Sequence, residues 1–295
     1  LSVLFLIFVV IVGYRIIKNA FKPVKQISNT ALEIKRSKDF SNRIELEDSN
    51  DDEIHKMAST FNEMLDTVEE VFIHEKQFSS DVSHELRTPI TVILAQSDYA
   101  LQYSDTFEEA KESLEVINRH AKRMTNLINQ IMELSKLERQ KEIEKERINL
   151  SNIVLQLLED YKPLLESKNL NLVYNVEKDL RIQGNKIMLE RVFLNILMNA
   201  VKFTKTNIEV SLTREDKTAV LKIRDDGIGI SEENKKFIWE RFFQVNDSRN
   251  KEENKGSGLG LSMVKKIVDL HSATIDLESE LEQGTCFTIK FNMKL

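Results

Sequence analysis

The chain has 295 residues, enough for about two domains. Glycine and proline fill only 11 positions, against roughly 12% of residues in average proteins, which excludes a collagenous or linker-dominated chain. A net charge of −6 points away from nucleic acid as the main partner, and the single cysteine, Cys286, excludes an internal disulfide or a four-cysteine zinc site.

Residues 1–14, LSVLFLIFVVIVGY, carry no charge. At 1.5 Å per residue they reach about 21 Å, short of a hydrocarbon core about 30 Å thick. Arg15, Lys18, Lys22 and Lys25 follow, and no acid appears before Glu33. The pattern predicts a transmembrane helix over 1–17, cut at its N-terminal end. The positive-inside rule then places the residues after about 15 in the cytoplasm. A signal-peptide core would carry its basic residues on the other side.

Val24, Ile27, Ala31 and Ile34 step by three and four, as do Ile54, Met57, Phe61, Met64, Val68 and Val71. Each set predicts a narrow coiled-coil seam. The acidic run ELEDSNDDE, 45–53, reads as a solvated connector, since it has no glycine where an EF-hand loop needs one. A helical hairpin is predicted next. Its first helix carries Val82, Leu86, Ile90 and Leu94. The second, after a loop at 102–107, carries Phe107, Ala110, Leu114, Ile117, Ala121, Met124, Ile128 and Ile131. One hairpin covers one face of each helix, so two copies forming a four-helix bundle are expected, making the chain a homodimer.

His84, in the string DVSHELRTPI (81–90), lies about 200° around the helix from Val82 and therefore points to water. An exposed imidazole with a pKa near 6.5 keeps a free lone pair at neutral pH, suited to attack on a phosphoryl group. Glu85 beside it can accept the proton released. Thr88 lies one turn on, and Pro89 removes a backbone N–H there. His55, His74, His120 and His271 have no such context and read as structural or surface residues.

Alternation marks strands at 170–176, 207–213, 218–224 and 285–291, and helices are predicted at about 151–168, 186–202 and 259–271. This is an α+β sandwich with helices on one face of a mixed sheet. Its glycines cluster. DDGIGI (225–230) holds Gly227 and Gly229; GSGLGLS (256–262) holds Gly256, Gly258 and Gly260 and opens a helix, where N–H groups and the dipole favour an anion. NILMNAVKFT (195–204) places Asn195, Asn199 and Lys202 along one helix face. An amide oxygen suits Mg²⁺ shared with phosphates, a lysine suits phosphate, and Asp225 at a strand end offers an acceptor for an adenine amino group.

Together these strings resemble a membrane sensor histidine kinase of the two-component type, over nearly the whole chain. DVSHELRTPI is similar to the family's phosphoacceptor box. NILMNAVKFT resembles its asparagine box, DDGIGI and GSGLGLS its two glycine boxes, and FIWERFF (237–243) its phenylalanine box. The polar stretch VNDSRNKEENK (245–255) resembles an ATP lid. Residues 18–72 resemble a HAMP relay domain, with Pro23 at its opening and Asp52–Glu53 as its acidic pair.

The resemblance implies four parts: a truncated transmembrane helix (1–17), a parallel coiled-coil HAMP domain (18–72), a dimerisation and phosphoacceptor domain (73–140), and a catalytic domain of the histidine kinase, gyrase and chaperone type (141–295). It implies an ATP-dependent protein-histidine kinase of the cell membrane. His84 would be phosphorylated, Glu85 would act as general base, and Thr88 would support dephosphorylation of a cognate response regulator. Asn199 would hold Mg²⁺, and Asn195, Lys202, Phe203, Asp225, Gly227, Gly229, Gly256, Gly258, Leu259, Gly260 and Leu261 would surround ATP. No direct nucleic-acid binding is implied. Three departures stand out: His55 replaces a usual HAMP glycine, Asn185 replaces a frequent aspartate, and Gln244 follows Phe242–Phe243 where many members have arginine. Arg241 and Arg249 are the candidates to replace that cation.

Overall fold

The computed structural model describes residues 2–45, 53–244 and 256–293, and the chain divides into two compact units, Leu1–Ser83 and His84–Leu295. The lid stretch 245–255 with Arg249, and residues 46–52 of the acidic run with Asp52, lie outside the described residues.

In the first unit, helix α1 (Ser2–Ser37) ends on Lys35 and Arg36, whose charges suit a helix C-terminus. Lys38, at φ 56°, donates its N–H to the Ile34 carbonyl (2.8 Å), a left-handed stop. The chain then returns onto helix α2 (Glu53–Gln102). Asn62 clasps the main chain of Ile44 in both directions, accepting its N–H at 2.9 Å and donating to its carbonyl at 3.0 Å. The Arg43 guanidinium pairs with Asp66 and Glu69.

Ile34, Ile44, Ala58 and Leu65 are buried here. The predicted stripe on α2 is shifted from this face: Met57, Met64 and Val68 are exposed, while the neighbouring Ala58 and Leu65 pack inward. A helix residue one position along points 100° away, so the connector selects one stripe and leaves the other uncovered. Among the described residues, no helix is long and apolar enough to cross a membrane. Val3 to Val12 stand exposed on α1.

In the second unit, α2 runs on from His84 to Gln102 and the chain turns into helix α3 (Phe107–Arg139). Thr106 caps α3 by accepting the Glu109 N–H, and the Glu109 carboxylate accepts the Asp105 N–H (3.0 Å), a reciprocal arrangement close to a capping box. The predicted seam is again only part of the packing. Ile90, Leu94, Phe107, Leu114 and Ile128 are exposed on the single chain. Leu127, Leu134 and Leu137 form a second stripe that enters the core of the α/β layer.

That layer contains strand β1 (Glu146–Asn149), helix α4 (Leu150–Ser167), β2 (Asn171–Val176), β3 (Arg181–Gly184), α5 (Lys186–Phe203), β4 (Asn207–Glu215) and β5 (Thr218–Asp225). These are followed by α6 (Glu232–Lys235), α7 (Gly260–Leu270), β6 (Thr274–Glu280) and β7 (Gly284–Asn292). The main sheet has order β2-β4-β5-β7-β6, with β2 and β4 parallel and the other neighbours antiparallel. β1 and β3 form a separate antiparallel pair. Phe193, Ile196 and Leu197 of α5, and Val264, Ile267 and Val268 of α7, share a core with Ile208, Val210 and Leu212 of β4 and Leu221 and Ile223 of β5. The sheet is mixed, as predicted. β1, β3 and β6 escaped the sequence reading: two have four residues each, and TIDLESE of β6 is half-buried and acid-rich.

His271, at the end of α7, joins two elements distant in sequence. Its Nδ1–H donates to the Ile267 carbonyl (2.7 Å), so Nε2 keeps a lone pair, which accepts the Asn185 N–H (3.0 Å) at the start of α5. Burial lowers the imidazole pKa and the nearby Lys145 charge adds to this, against the Ile267 hydrogen bond. Protonation at Nε2 would oppose an N–H donor. The neutral ring is therefore the folded form, and its contribution is full above the unfolded pKa of about 6.5 and lost as pH falls through the lower folded value. The melting midpoint of the second unit, followed by fluorescence of Trp239, is expected to drop between pH 7 and 5. His271→Gln should lower it at pH 7.5 and flatten that pH dependence.

Candidate functional site

The floor of the site is the C-terminal half of α5. Asn195 donates to the carbonyl of Arg191 (2.9 Å), within its own helix. A Cβ on Gly260 would lie 2.8 Å from its Oδ1, so the start of α7 fits over Asn195 only without a side chain. Asn199, one turn on, is half-buried, and its amide hydrogen-bonds to no described residue. The Lys202 ammonium sits over the Phe203 ring, 4.6 Å from its centroid. Its pKa is lowered by partial burial and then by the charge of Arg123 on α3.

The first glycine turn follows β5. Asp225 is the last residue of that strand and is buried. Burial pushes its carboxyl pKa up to about 6, against hydrogen bonds from the main-chain N–H groups of Gly227 and Thr285. Gly227 closes tightly on the end of α5: a Cβ there would lie 2.2 Å from the Phe203 carbonyl oxygen. Gly229 faces the Glu280 carbonyl.

Asp226, which sequence reasoning passed over, organises this turn. It accepts the N–H groups of Lys205, Thr206 and Asn207 at 2.9–3.0 Å and both threonine hydroxyls, Thr204 and Thr206, at 2.7 Å. Burial alone would raise its pKa, but these bonds hold it far below the usual carboxylate range. Gly284, also missed, backs the Asp225 carbonyl so closely that a Cβ would lie 2.0 Å from its oxygen. The doubled aspartate in DDGIGI was the available signal for Asp226; a lone strand glycine gave little for Gly284.

The second glycine turn borders both α5 and the hairpin. A Cβ on Gly256 would lie 3.5 Å from the Lys202 ammonium, and Gly258, at φ +71°, abuts the main chain of Phe242. Leu259 is fully buried, so only its main chain is available to a ligand; Leu261 is half-buried. Ser257 donates its hydroxyl to Gln130 of α3 (2.6 Å). Two ion pairs reinforce this border, Arg191 with Glu133 and Arg241 with Glu138.

Beside this border lies a cavity of about 850 Å³ lined by Glu85 of α2, by Arg119, Lys122, Arg123 and Gln130 of α3, and by Ser257 of the glycine turn; the expected nucleotide residues Asn195, Asn199, Lys202 and Asp225 do not line it. His84, next to Glu85, is exposed, and the Thr88 hydroxyl turns back to the His84 carbonyl (3.4 Å). Pro89 is buried and cannot donate to the Glu85 carbonyl one turn behind it. The hairpin glutamate and the glycine turn, far apart in sequence, thus share one space.

Three family models match in chain order: the HAMP domain over 15–70, the His Kinase A (phospho-acceptor) domain over 74–140, and the histidine kinase-, DNA gyrase B- and HSP90-like ATPase over 184–295. The sensor histidine kinase YkoH of Bacillus subtilis is 30% identical over 282 residues, covering 95% of this chain and 61% of YkoH. The signal transduction histidine-protein kinase ArlS of Staphylococcus aureus is 32% identical over 274 residues, covering 92% of this chain and 60% of ArlS. The chain belongs to the sensor histidine kinases of two-component systems.

It spans about three-fifths of the length of these curated relatives. Two solved structures share the fold at 22% identity. The histidine kinase AdeS of Acinetobacter baumannii gives a TM-score of 0.57 over 72% of this chain and 98% of that one. The histidine kinase ThkA, in complex with the response regulator protein TrrA, gives 0.63 over 77% of this chain and 64% of that one.

Within this chain, Gln244 donates to the Gly256 carbonyl (2.9 Å), linking the residues on either side of the stretch 245–255. Arg241, one candidate for the missing cation, is engaged by Glu138 at 2.6 Å. Asp225 gives the site a pH signature. If Asp225 accepts an adenine amino group, as the resemblance implies, its carboxyl must be ionised, and nucleotide binding would then release a proton where the empty site is protonated. Affinity for an ATP analogue, measured by calorimetry, should weaken as pH falls through 6. Asp225→Asn should cost roughly 10–100-fold at pH 7.5, the worth of a charge-assisted hydrogen bond, and remove that pH dependence.

Proposed function

We propose that this chain autophosphorylates His84 from ATP and passes the phosphoryl group to an aspartate of a cognate response regulator. The observation that carries the proposal is the cavity shared by Glu85 and Ser257, which puts the residue after His84 and a glycine turn of the ATPase layer on one space. An imidazole nitrogen of His84 attacks the γ-phosphorus, the bond from phosphorus to the ADP oxygen breaks, and Glu85 takes the ring proton. Lys202 neutralises charge on the phosphate, Asp225 orients the adenine, and the glycines admit the polyphosphate to main-chain N–H groups. The close approaches at Gly227 and Gly260, which leave no room for a side chain, and the buried Asp225 carboxyl support that fit. Asn199, with its uncommitted amide, would hold Mg²⁺, which supplies charge neutralisation on the phosphates when bound.

The same reading divides the chain at 1–17, 18–72, 73–140 and 141–295. It assigns the exposed stripe Ile90, Leu94, Phe107, Leu114 and Ile128 to a second copy, completing a four-helix bundle. It places 1–17 in the cell membrane, supported by the exposed run Val3–Val12 and the basic residues after it. The HAMP segment shifts the population of docked catalytic domains. Thr88 supports dephosphorylation of the regulator.

With γ-labelled ATP and Mg²⁺, acid-labile, base-stable label is expected on the wild type. None should appear on His84→Gln; label persisting at the wild-type level in that variant would end the assignment. Thr88→Ala should keep autophosphorylation within a few-fold and lose most regulator dephosphorylation, read as the lifetime of the phosphorylated regulator. Deleting residues 1–14 should move the protein from the membrane pellet to the supernatant.

A further inference from the structure

This inference deepens the phosphohistidine reading and depends on it. That reading leaves a charge unaccounted for on the hairpin side of the phosphoryl group. In flight, the group carries negative charge on three equatorial oxygens, while Lys202 belongs to the ATPase layer. Gln244 and Arg241 are held elsewhere, at the Gly256 carbonyl and the Glu138 carboxylate.

Helix α3 presents Lys111, Arg119, Lys122 and Arg123 to the cavity that Glu85 lines. Arg123, Leu127 and Gln130 step by four and three and so share one face. Leu127 enters the core of the ATPase layer, and Gln130 holds Ser257 of the second glycine turn at 2.6 Å. Arg123, one turn before Leu127, lines the cavity of about 850 Å³ together with Glu85 and Ser257. Its charge is near enough to Lys202 to disfavour the lysine's protonated state. Lys202 does not line that cavity, but the influence of Arg123 on it places the two charges close together, and a phosphate oxygen between them would relieve their repulsion. Arginine adds a planar fork of donors matched to phosphate oxygens.

We propose that Arg123 contacts the γ-phosphoryl group during its transfer to His84. Its guanidinium binds equatorial oxygens as the bond to the ADP oxygen breaks and the bond to His84 forms, the ring proton passing to Glu85. Lys202 grips the group from the nucleotide side and Arg123 receives it on the hairpin side.

The test compares the wild type with Arg123→Gln, Arg123→Lys and Lys111→Gln. Initial rates of phosphohistidine formation are measured across an ATP series, and affinity for a non-hydrolysable ATP analogue is measured separately. Lys111 lines the same cavity but pairs with Glu108 at 3.0 Å, so its variant controls for bulk charge. Arg123→Gln is expected to lower the rate at saturating ATP by about 10–100-fold with analogue affinity changed less than threefold. Arg123→Lys should recover at least part of the rate, and Lys111→Gln should stay near wild type. Circular dichroism and unchanged analogue binding establish that Arg123→Gln is folded; if it is not, the rate of the conservative Arg123→Lys variant decides, and a wild-type KM with a lowered kcat supports the proposal.

A wild-type rate in Arg123→Gln would overturn the role of Arg123 and leave the kinase reading intact. Equal losses of rate and analogue affinity would make Arg123 a ground-state binding residue and overturn it too. Absence of phosphohistidine from the wild type itself would bring down both readings.

Discussion

The arrangement of the site depends on one packing interaction, the insertion of the Leu127–Leu134–Leu137 stripe of α3 into the core of the α/β layer. Leu134 is 1% exposed and Leu137 4%. Burying such a side chain contributes about 1.5–3 kcal/mol, so the three together outweigh any single polar contact at this border. Once the stripe is seated, the geometry of the remaining contacts follows. Gln130 lies between Leu127 and Leu134 on the helix and meets Ser257; Glu133 and Glu138 meet Arg191 and Arg241. These pairs are partly exposed and fix register more than they add stability. The glycine turn is held beside Glu85 because a leucine stripe two turns away is buried.

Within the α/β layer, two adjacent aspartates divide the work through opposite environments. Asp226 receives six hydrogen bonds from residues 204–207, and these keep it ionised and tie the end of α5 to the end of β5. Asp225 points into the core side of the same turn and is left with two main-chain donors, so burial raises its pKa. A carboxylate that the fold leaves undersatisfied has room for a further donor, which is what the proposed contact with a ligand amino group would supply. Gly227 permits this contrast. With a side chain at 227, the turn could not approach the Phe203 carbonyl, and the two carboxylates could not face opposite ways from one strand end.

Much of this was legible in sequence because the chemistry is concentrated in short strings. The strands at 207–213, 218–224 and 285–291 alternate strongly, and the structure extends each by only a residue or two. Gly227, Gly256 and Gly260 do come to α5, at Phe203, Lys202 and Asn195, while Gly229 and Gly258 pack on Glu280 and Phe242. The exposure of His84 followed from its angle to Val82 alone. What sequence did not give was which neighbour covers each stripe. The heptad on α3 was visible, but Leu127, Leu134 and Leu137 form a second stripe one position from it, and the element of the layer that α3 packs on, α7, follows far along the chain. The roles of Gln244 and His271 were hidden for the same reason: each bonds a main-chain group whose position depends on the finished fold. Leu259 looked like part of the binding turn, yet its side chain is fully buried, because a turn that presents its main chain must anchor its side chain inward.

The two stripes on α3 also constrain how a signal can act in the proposed homodimer. Leu127 and Ile128 are neighbours, about 100° apart around the helix. Leu127 seats the ATPase layer, and Ile128 belongs to the face assigned to a second copy. Since both ride on one rigid helix, a rotation that turns Ile128 further toward the partner also moves Leu127 against the ATPase layer. Arg123 and Gln130 move with them. Docking of the ATPase layer and packing of the bundle are therefore coupled through the orientation of α3. A tenfold change in the docked population needs only about 1.4 kcal/mol, less than the burial of one leucine. A small rotation delivered to the hairpin is energetically sufficient to decide whether the glycine turn stands beside Glu85.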